Sequence, residues 1–256
     1  MKFGARLFGV AVVSMTLGVA GCGGDTAPAD KTAPSSNGKS ASAPLVKLTT
    51  ANFLPVAKKA MAGKTTVRTS MRMLVGGQTI TTSGVARFGD RPAMSMVMTS
   101  PGSSGTSKVI LVGDVLYVSI PGQVPEGKFV KTPADGSSPL AKSLRQSLDQ
   151  ADPKKTFTTF EAGLRKVTYA GTETANGLKL QHYKVSVDTK AVLAAQGQPM
   201  VAGLPKTITY DIWLDNARLM RKVTFKMAGV SAVMTANDYG KPVSIKAPPA
   251  DDIVTR

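Results

Sequence analysis

From residue 66 onward the chain alternates. In "TVRTSMRMLV", Val67, Met71, Met73 and Val75 fall on one side of an extended segment and Arg68, Ser70 and Arg72 on the other. That period of two belongs to a strand with one buried face. "GGQ" can turn the chain and "TITTSGVARF" returns it. The run from Pro92 to Thr99 continues the meander, and "SKVILVGDVLYVSI" reads as two strands about a Gly113-Asp114 turn, a strong hairpin signal. "KFVKT" is a short strand.

Strands resume in "KVTYAGTET", "GLKLQHYKVSVD", "KTITYDIWLD", "RLMRKVTFKM" and "VSAVMTANDYG". Ile208, Tyr210, Ile212 and Leu214 share one face. After a tight turn at Asp215-Asn216-Ala217, Leu219, Val223, Phe225 and Met227 share one face of the next strand.

Helical spacing is confined to a few stretches. "LTTANFLPVAKKAMAGK" places Phe53, Val56, Ala57, Ala60 and Met61 on one stripe, with Thr49 or Thr50 as cap, Pro55 in the first turn and Gly63 as the stop. "SSPLAKSLRQSLDQADP" is the clearest helix: Ser138 caps, Pro139 opens, and Leu140, Leu144 and Leu148 recur at helical spacing. Shorter helices are expected over Thr158 to Leu164 and in "TKAVLAAQG". Roughly ten antiparallel strands with few helices make an α+β fold in which one sheet curls and helices cover its apolar face.

The N-terminus is of a different kind. Lys2 and Arg6 precede the apolar run Leu7 to Ala20. That run falls short of the roughly 20 residues a membrane span needs and has the layout of an export signal. It ends in "LGVAGC", which looks like a bacterial lipobox: Cys22 would be diacylated, residues 1–21 removed and the new N-terminus acylated. The alternative is an ordinary signal peptide that happens to contain a cysteine. Cys22 is the only cysteine in the chain, so no disulfide can form within one molecule. Two or more acyl chains hold a protein stably at a bilayer.

Gly23 to Pro44 has no Val, Ile, Leu, Met or aromatic residue. It cannot bury a core and reads as a linker with a reach of roughly 25 Å if fully flexible. The organisation expected is a signal peptide over 1–21, lipidated Cys22 with its linker over 22–44, and a single domain over 45–256.

The formal net charge is +16. In a cytoplasmic protein that balance would suggest nucleic acid, but the export signal argues against it. Positive charge beside a membrane favours anionic headgroups, and a generally basic, soluble surface accounts for the charge equally well.

The candidate chemistry centres on methionine. "AMSMVM" puts Met94, Met96 and Met98 on one strand face. With Met71 and Met73 they could line one wall of a cavity, and Met227 and Met234 another part of it. Methionine suits varied, flexible ligands such as acyl chains because it is unbranched and polarizable. Plain core packing is the competing reading. Copper is the third, since thioethers select Cu(I). Such a site usually wants a nearby His or Cys; Cys22 is assigned to acylation and the only histidine, His182, lies far along the chain.

His182 in "KLQHYKV" is expected at an edge or on the surface, and Trp213 against a covering helix. Ser103 and Ser104 sit in "PGSSGTS", which is not a hydrolase elbow. The pairs Asp149/Asp152 and Asp211/Asp215 are carboxylate pairs by spacing only. No phosphate loop, zinc spacing or His-Glu-x-x-His is present. Neither catalytic residues nor a cofactor are expected, and the chain reads as a non-enzyme.

The lipobox, the Ser/Ala/Pro linker, the long meander, "LVGDVLYV", "YDIWLDNARLMRKV" and the "DYGKPVSIKAPP" ending together resemble the LppX/LprA/LprF/LprG lipoprotein family of actinobacteria. The resemblance covers essentially the whole mature domain. It implies the LolA/LolB type of half-barrel: a strongly curved antiparallel sheet with helices closing its concave side over a cavity for acyl chains. The implied role is to carry or present glycolipids or other acyl lipids across the envelope; the acylated Cys22 would tether the protein to the outer face of the cytoplasmic membrane, with an envelope transporter as an expected partner. Only Cys22 carries over residue by residue.

The cavity-lining set expected on this reading is Met71, Met73, Met94, Met96, Met98, Leu140, Leu144, Leu148, Ile212, Leu214, Phe225 and Met227, with the helix stripe extended by Phe157 and Phe160. The rival is a protein-interaction or sensor module on the same scaffold, its cavity plugged by bulky residues such as Phe88, Tyr117 and Phe225. A hydrolase is a distant third.

Overall fold

A computed structural model describes residues 46–134, 160–195, 197–200, 203–227 and 229–254. The segments assigned to the signal peptide, Cys22, the linker and the Leu140/Leu144/Leu148 helix lie outside the described residues, as do Phe157 and the pair Asp149/Asp152.

The chain enters through a turn in which Thr49 N–H donates to Asn52 Oδ1 (2.7 Å) and Phe53 N–H donates to the Thr49 carbonyl (2.9 Å). Helix α1 (Phe53–Met61) follows, with Pro55 in its first turn as expected and Phe53, Leu54, Ala57 and Met61 buried. The capping differs from expectation. Asn52 precedes the helix, while the Thr50 hydroxyl accepts the Val167 N–H (2.9 Å) and ties the helix entrance to a distant strand.

The strands are β1 (Thr66–Val75), β2 (Gln78–Arg87), β3 (Ala93–Thr99), β4 (Thr106–Val112), β5 (Val115–Ser119), β6 (Phe129–Pro133), β7 (Leu164–Ala175), β8 (Leu178–Asp188), β9 (Thr207–Leu214), β10 (Met220–Met227), β11 (Val230–Asn237) and β12 (Ile253–Val254). A second helix, α2 (Thr189–Ala195), links β8 to β9. Asp188 Oδ1 accepts its Ala191 N–H (2.8 Å), an aspartate cap.

The twelve strands among the described residues form one open sheet in the order β12-β6-β5-β4-β3-β2-β1-β11-β10-β9-β8-β7. Neighbouring pairs are antiparallel except β12, which runs parallel to β6. The eleven strands read from the sequence are all present, and the twelfth, β12, is only two residues long and carries no local signal. The tight connections follow the glycines: Gly76 and Gly77 both have positive φ (56° and 80°) between β1 and β2, and Asn176-Gly177 does the same between β7 and β8 (51° and 73°). These are the turns whose twist matches a hairpin.

Two expectations change. Leu164 opens β7, and the helical turn before it ends at residue 163, because the Leu164 side chain packs against the core as a strand residue. The face assigned to Leu219 shifts at a β-bulge between Met220 and Lys222. Arg221 is the extra residue, and its guanidinium turns back to Asp215 Oδ2 at 2.7 Å. Leu219 and Met220 are consequently both buried.

One face of the sheet is apolar and carries the helices. Phe53 of α1 meets Tyr183 of β8 edge-on with ring centroids 5.4 Å apart. Phe160 meets Tyr210 of β9 at the same distance. The core they build joins α1 to β7–β11 and β1, and a smaller cluster, Met94, Leu111, Leu116, Val118 and Ala134, lies under β3–β6. The result is the curved antiparallel α+β sheet expected from the strand pattern.

Candidate functional site

Antiparallel partners directly opposite one another share a sheet face, so the register fixes what each face presents. One row on the inner face, the one the helices cover, runs Ile80, Met73, Ala232, Phe225, Tyr210, Val185, Val167. The next runs Met98, Thr82, Met71, Met234, Val223, Ile212, Tyr183, Tyr169. Met94 and Met96 lie opposite Ala86 and Gly84 on the same face. Met71, Met73, Met94, Met96, Met98, Ile212, Leu214, Phe225 and Met227 are thus brought onto one continuous surface that spans the six strands from β3 to β9.

Their burial is graded. Ile212 and Leu214 are fully enclosed in the helix-covered core. Met71, Phe225 and Met227 pack against that core while remaining partly open. Along β3, Met94 is 8% exposed, Met96 intermediate and Met98 43% exposed. The methionine stripe therefore runs from packed core out to an accessible rim. Phe225 also contacts Tyr210 with centroids 5.4 Å apart, filling part of the face between β9 and β10.

Of the residues named as plugs, Phe88 and Phe225 pack against the larger cluster. Tyr117 does not join them. It pairs with Ile110 and Lys131, whereas the methionine row continues through Leu111 and Leu116, so the register places Tyr117 on the other face.

The outer face has a different chemistry. His182 lies on β8, between β7 and β9, and is not at an edge. Its ring stacks flat on Trp213, 4.3 Å between centroids and 5° between planes. Its Nε2 is 2.6 Å from Asp211 Oδ1. The Lys222 ammonium lies 4.1 Å from the centre of the Trp213 ring. Trp213 thus packs against His182 and Lys222 on the face opposite Ile212 and Leu214, correcting the expectation of a covering helix. Its indole Nε1 is buried without a hydrogen-bond partner among the described residues.

This arrangement bears on the copper reading. The single histidine and the methionine stripe stand on opposite faces of the sheet, so His182 cannot complete a thioether site. Among the described residues no three of His, Cys, Asp and Glu converge on a point, and no helix is long and apolar enough to cross a membrane.

Asp211 and Asp215 have separate partners. Asp215 is buried at the β9–β10 turn, where Oδ1 accepts the Leu219 N–H (2.9 Å) and Oδ2 meets Arg221. Arg218, with φ 65°, reaches from this turn to the Val46 carbonyl (2.6 Å) and to Gln181 Oε1. Tyr183 O–H donates to the same Gln181 oxygen (2.8 Å), and Leu48 N–H donates to the Tyr183 oxygen (3.2 Å). This network, invisible in the local pattern, fixes where residues 46–48 join the sheet. Ser103 closes a local turn through a bond from its hydroxyl to the Gly105 carbonyl (2.8 Å).

No protein-family model matches the chain, and no curated protein matches it by sequence. Two lipoproteins are among the solved structures that match in shape. The lipoprotein LppX of Mycobacterium tuberculosis is 14% identical, with a TM-score of 0.54 over 77% of this chain and 98% of LppX. LprF from Mycobacterium bovis is 12% identical, with a TM-score of 0.56 over 78% of this chain and 96% of LprF. At this identity the likeness establishes the fold: the chain has the architecture of LppX and LprF, as its sequence resemblance implied.

Proposed function

We propose that the protein is a membrane-anchored lipoprotein that binds acyl lipids or glycolipids on the apolar inner face of its sheet and carries or presents them across the envelope. The observation that carries this reading is the graded methionine stripe. Met96 and Met98 sit on the same face as the packed core but are progressively open, which is where a flexible apolar ligand can replace solvent. Burial of acyl CH₂ groups contributes about 25 cal/mol per Å², offset by the cost of ordering the chains. Met71, Met73, Met94, Phe225 and Met227 continue the wall. Ile212 and Leu214 support it from within the core, and Leu140, Leu144 and Leu148 are assigned to its helical cover.

Binding of this kind needs no chemistry, so the protein acts without catalysis or cofactor. The anchor is the acylated Cys22, placing the domain on the outer face of the cytoplasmic membrane within reach of a transporter partner. The rival reading, an interaction or sensor module with a filled interior, draws on Phe225, Tyr210 and Phe160, whose rings already occupy part of the inner face.

The test is Met96→Trp. A bulky rigid ring at the centre of the stripe should abolish the acyl lipid that co-purifies with the protein while leaving the fold intact by circular dichroism. Undiminished lipid in the variant would remove Met96 from the wall.

A further inference from the structure

The outer face of the sheet is cationic and open over β7–β11 and β1. The register sets Arg72 opposite Val233, and Lys226 opposite Ser231, which itself faces Leu74. Lys184 and Lys166 stand on the same face of β8 and β7, opposite Asp211 and Ser186. Arg72, Lys166, Lys184 and Lys226 are all exposed, and Arg72, Lys166 and Lys226 have no acidic partner among the described residues. Asp211, the acid among them, is already engaged by His182 at 2.6 Å and Lys184 at 3.9 Å.

Two large aliphatic side chains lie within this basic field, Leu74 and Val233, each 41% exposed. They are diagonal neighbours across β1 and β11. Their surroundings are short hydroxyls, Thr81, Thr224, Thr235, Ser70 and Ser231, which leave the aliphatic and cationic groups proud of the surface.

We infer that this outer face docks onto an anionic phospholipid surface, Arg72, Lys166, Lys184 and Lys226 meeting headgroup phosphates and Leu74 and Val233 entering the interface between them. Cations flanking exposed aliphatics suit a headgroup layer. Nucleic acid is the poorer fit, because single strands need aromatic platforms and the one tryptophan of this face is covered by His182 and Lys222. Docking by this face turns the opposite, helix-bearing side away from the membrane. The inference stands on surface charge and does not require the inner face to hold lipid.

The experiment is a lysine footprint of the full chain reconstituted into vesicles, using a membrane-impermeant acylating reagent and reading each peptide by mass. One vesicle set contains phosphatidylglycerol in phosphatidylcholine; the other is phosphatidylcholine alone. Modification of Lys166, Lys184 and Lys226 is expected to fall at least about threefold in the anionic vesicles, and to recover near 1 M salt, where the Debye length is about 3 Å. Lys59 and Lys190, exposed on α1 and α2, should label equally in both. Arg72→Glu with Lys226→Glu should remove the protection of Lys184, whereas Lys59→Glu with Lys190→Glu should leave it. Equal labelling of the sheet lysines in both vesicle sets overturns the inference, as does protection spread equally over Lys59 and Lys190. Lipid extracted from the same preparations reports separately on the inner face.

Discussion

Met96 crosses over Gly84 on the adjacent strand, and a Cβ built on Gly84 would stand 2.8 Å from Met96 Cγ and 2.5 Å from the Ser95 carbonyl oxygen. Gly84 lies within β2 with no turn to explain it. Its missing side chain is what lets the methionine lie flat against the inner face. Gly84→Val should therefore destabilise the fold by about 1–3 kcal/mol, because the Ser95 backbone must move as well as the thioether. Urea unfolding measures this, and an unchanged midpoint would show that β3 yields without cost.

The stack of His182 on Trp213 gives a second prediction. His182→Ala removes the ring that covers the only tryptophan and leaves Asp211 with the more distant Lys184. Tryptophan emission should shift to the red as the indole meets water. Stability should fall by about 1–2 kcal/mol. An unshifted spectrum would mean that other groups bury the indole.

Alkaline stability depends on buried phenols. Burial pushes the Tyr210 phenol from the ordinary 10.0 up to about 12, and burial likewise raises Tyr239, whose hydroxyl donates to the Met220 carbonyl. Above pH 10 the unfolded tyrosine loses its proton while the folded one keeps it. The stabilisation is thus complete below about pH 10 and is lost as pH rises through about 12. Tyr210→Phe should make the fall in melting temperature over that window shallower. An identical slope in variant and parent would assign the loss to other groups.

The anchor is tested at Cys22. Cys22→Ser removes the thiol that acylation needs, so the chain should lose its acyl mass and resist release of residues 1–21. Metabolic labelling with a tagged fatty acid reads this directly. Label incorporated equally into the variant would place the lipid elsewhere.

Much of this architecture could be read from the chain because one face of the sheet is apolar and the other polar. β1 alternates along its length, Gly76-Gly77 and Gly113-Asp114 turn where hairpins need them, and the methionines at every second position of β3 share a face. The readings that failed depend on neighbours distant in sequence. Both Leu219 and Met220 are apolar, so either could lead the strand, and only the Arg221–Asp215 pair reveals the bulge. Tyr117 lies in β5, whose "LYVS" residues are all buried, so alternation could not tell its two faces apart. His182 lies on the outer face as expected but not at an edge, and its partial burial comes from Trp213, a partner set by register. β12 has two residues and exists only through its pairing with β6.

The most direct measurement is native mass spectrometry of the protein expressed in an actinobacterial host, with the same sample weighed again after denaturation. The account predicts a mass excess in the native state that disappears on denaturation, extracts into organic solvent and analyses as acyl lipid or glycolipid, leaving only the covalent acyl groups. A polypeptide with no such excess, still bare after incubation with candidate lipids, would contradict it.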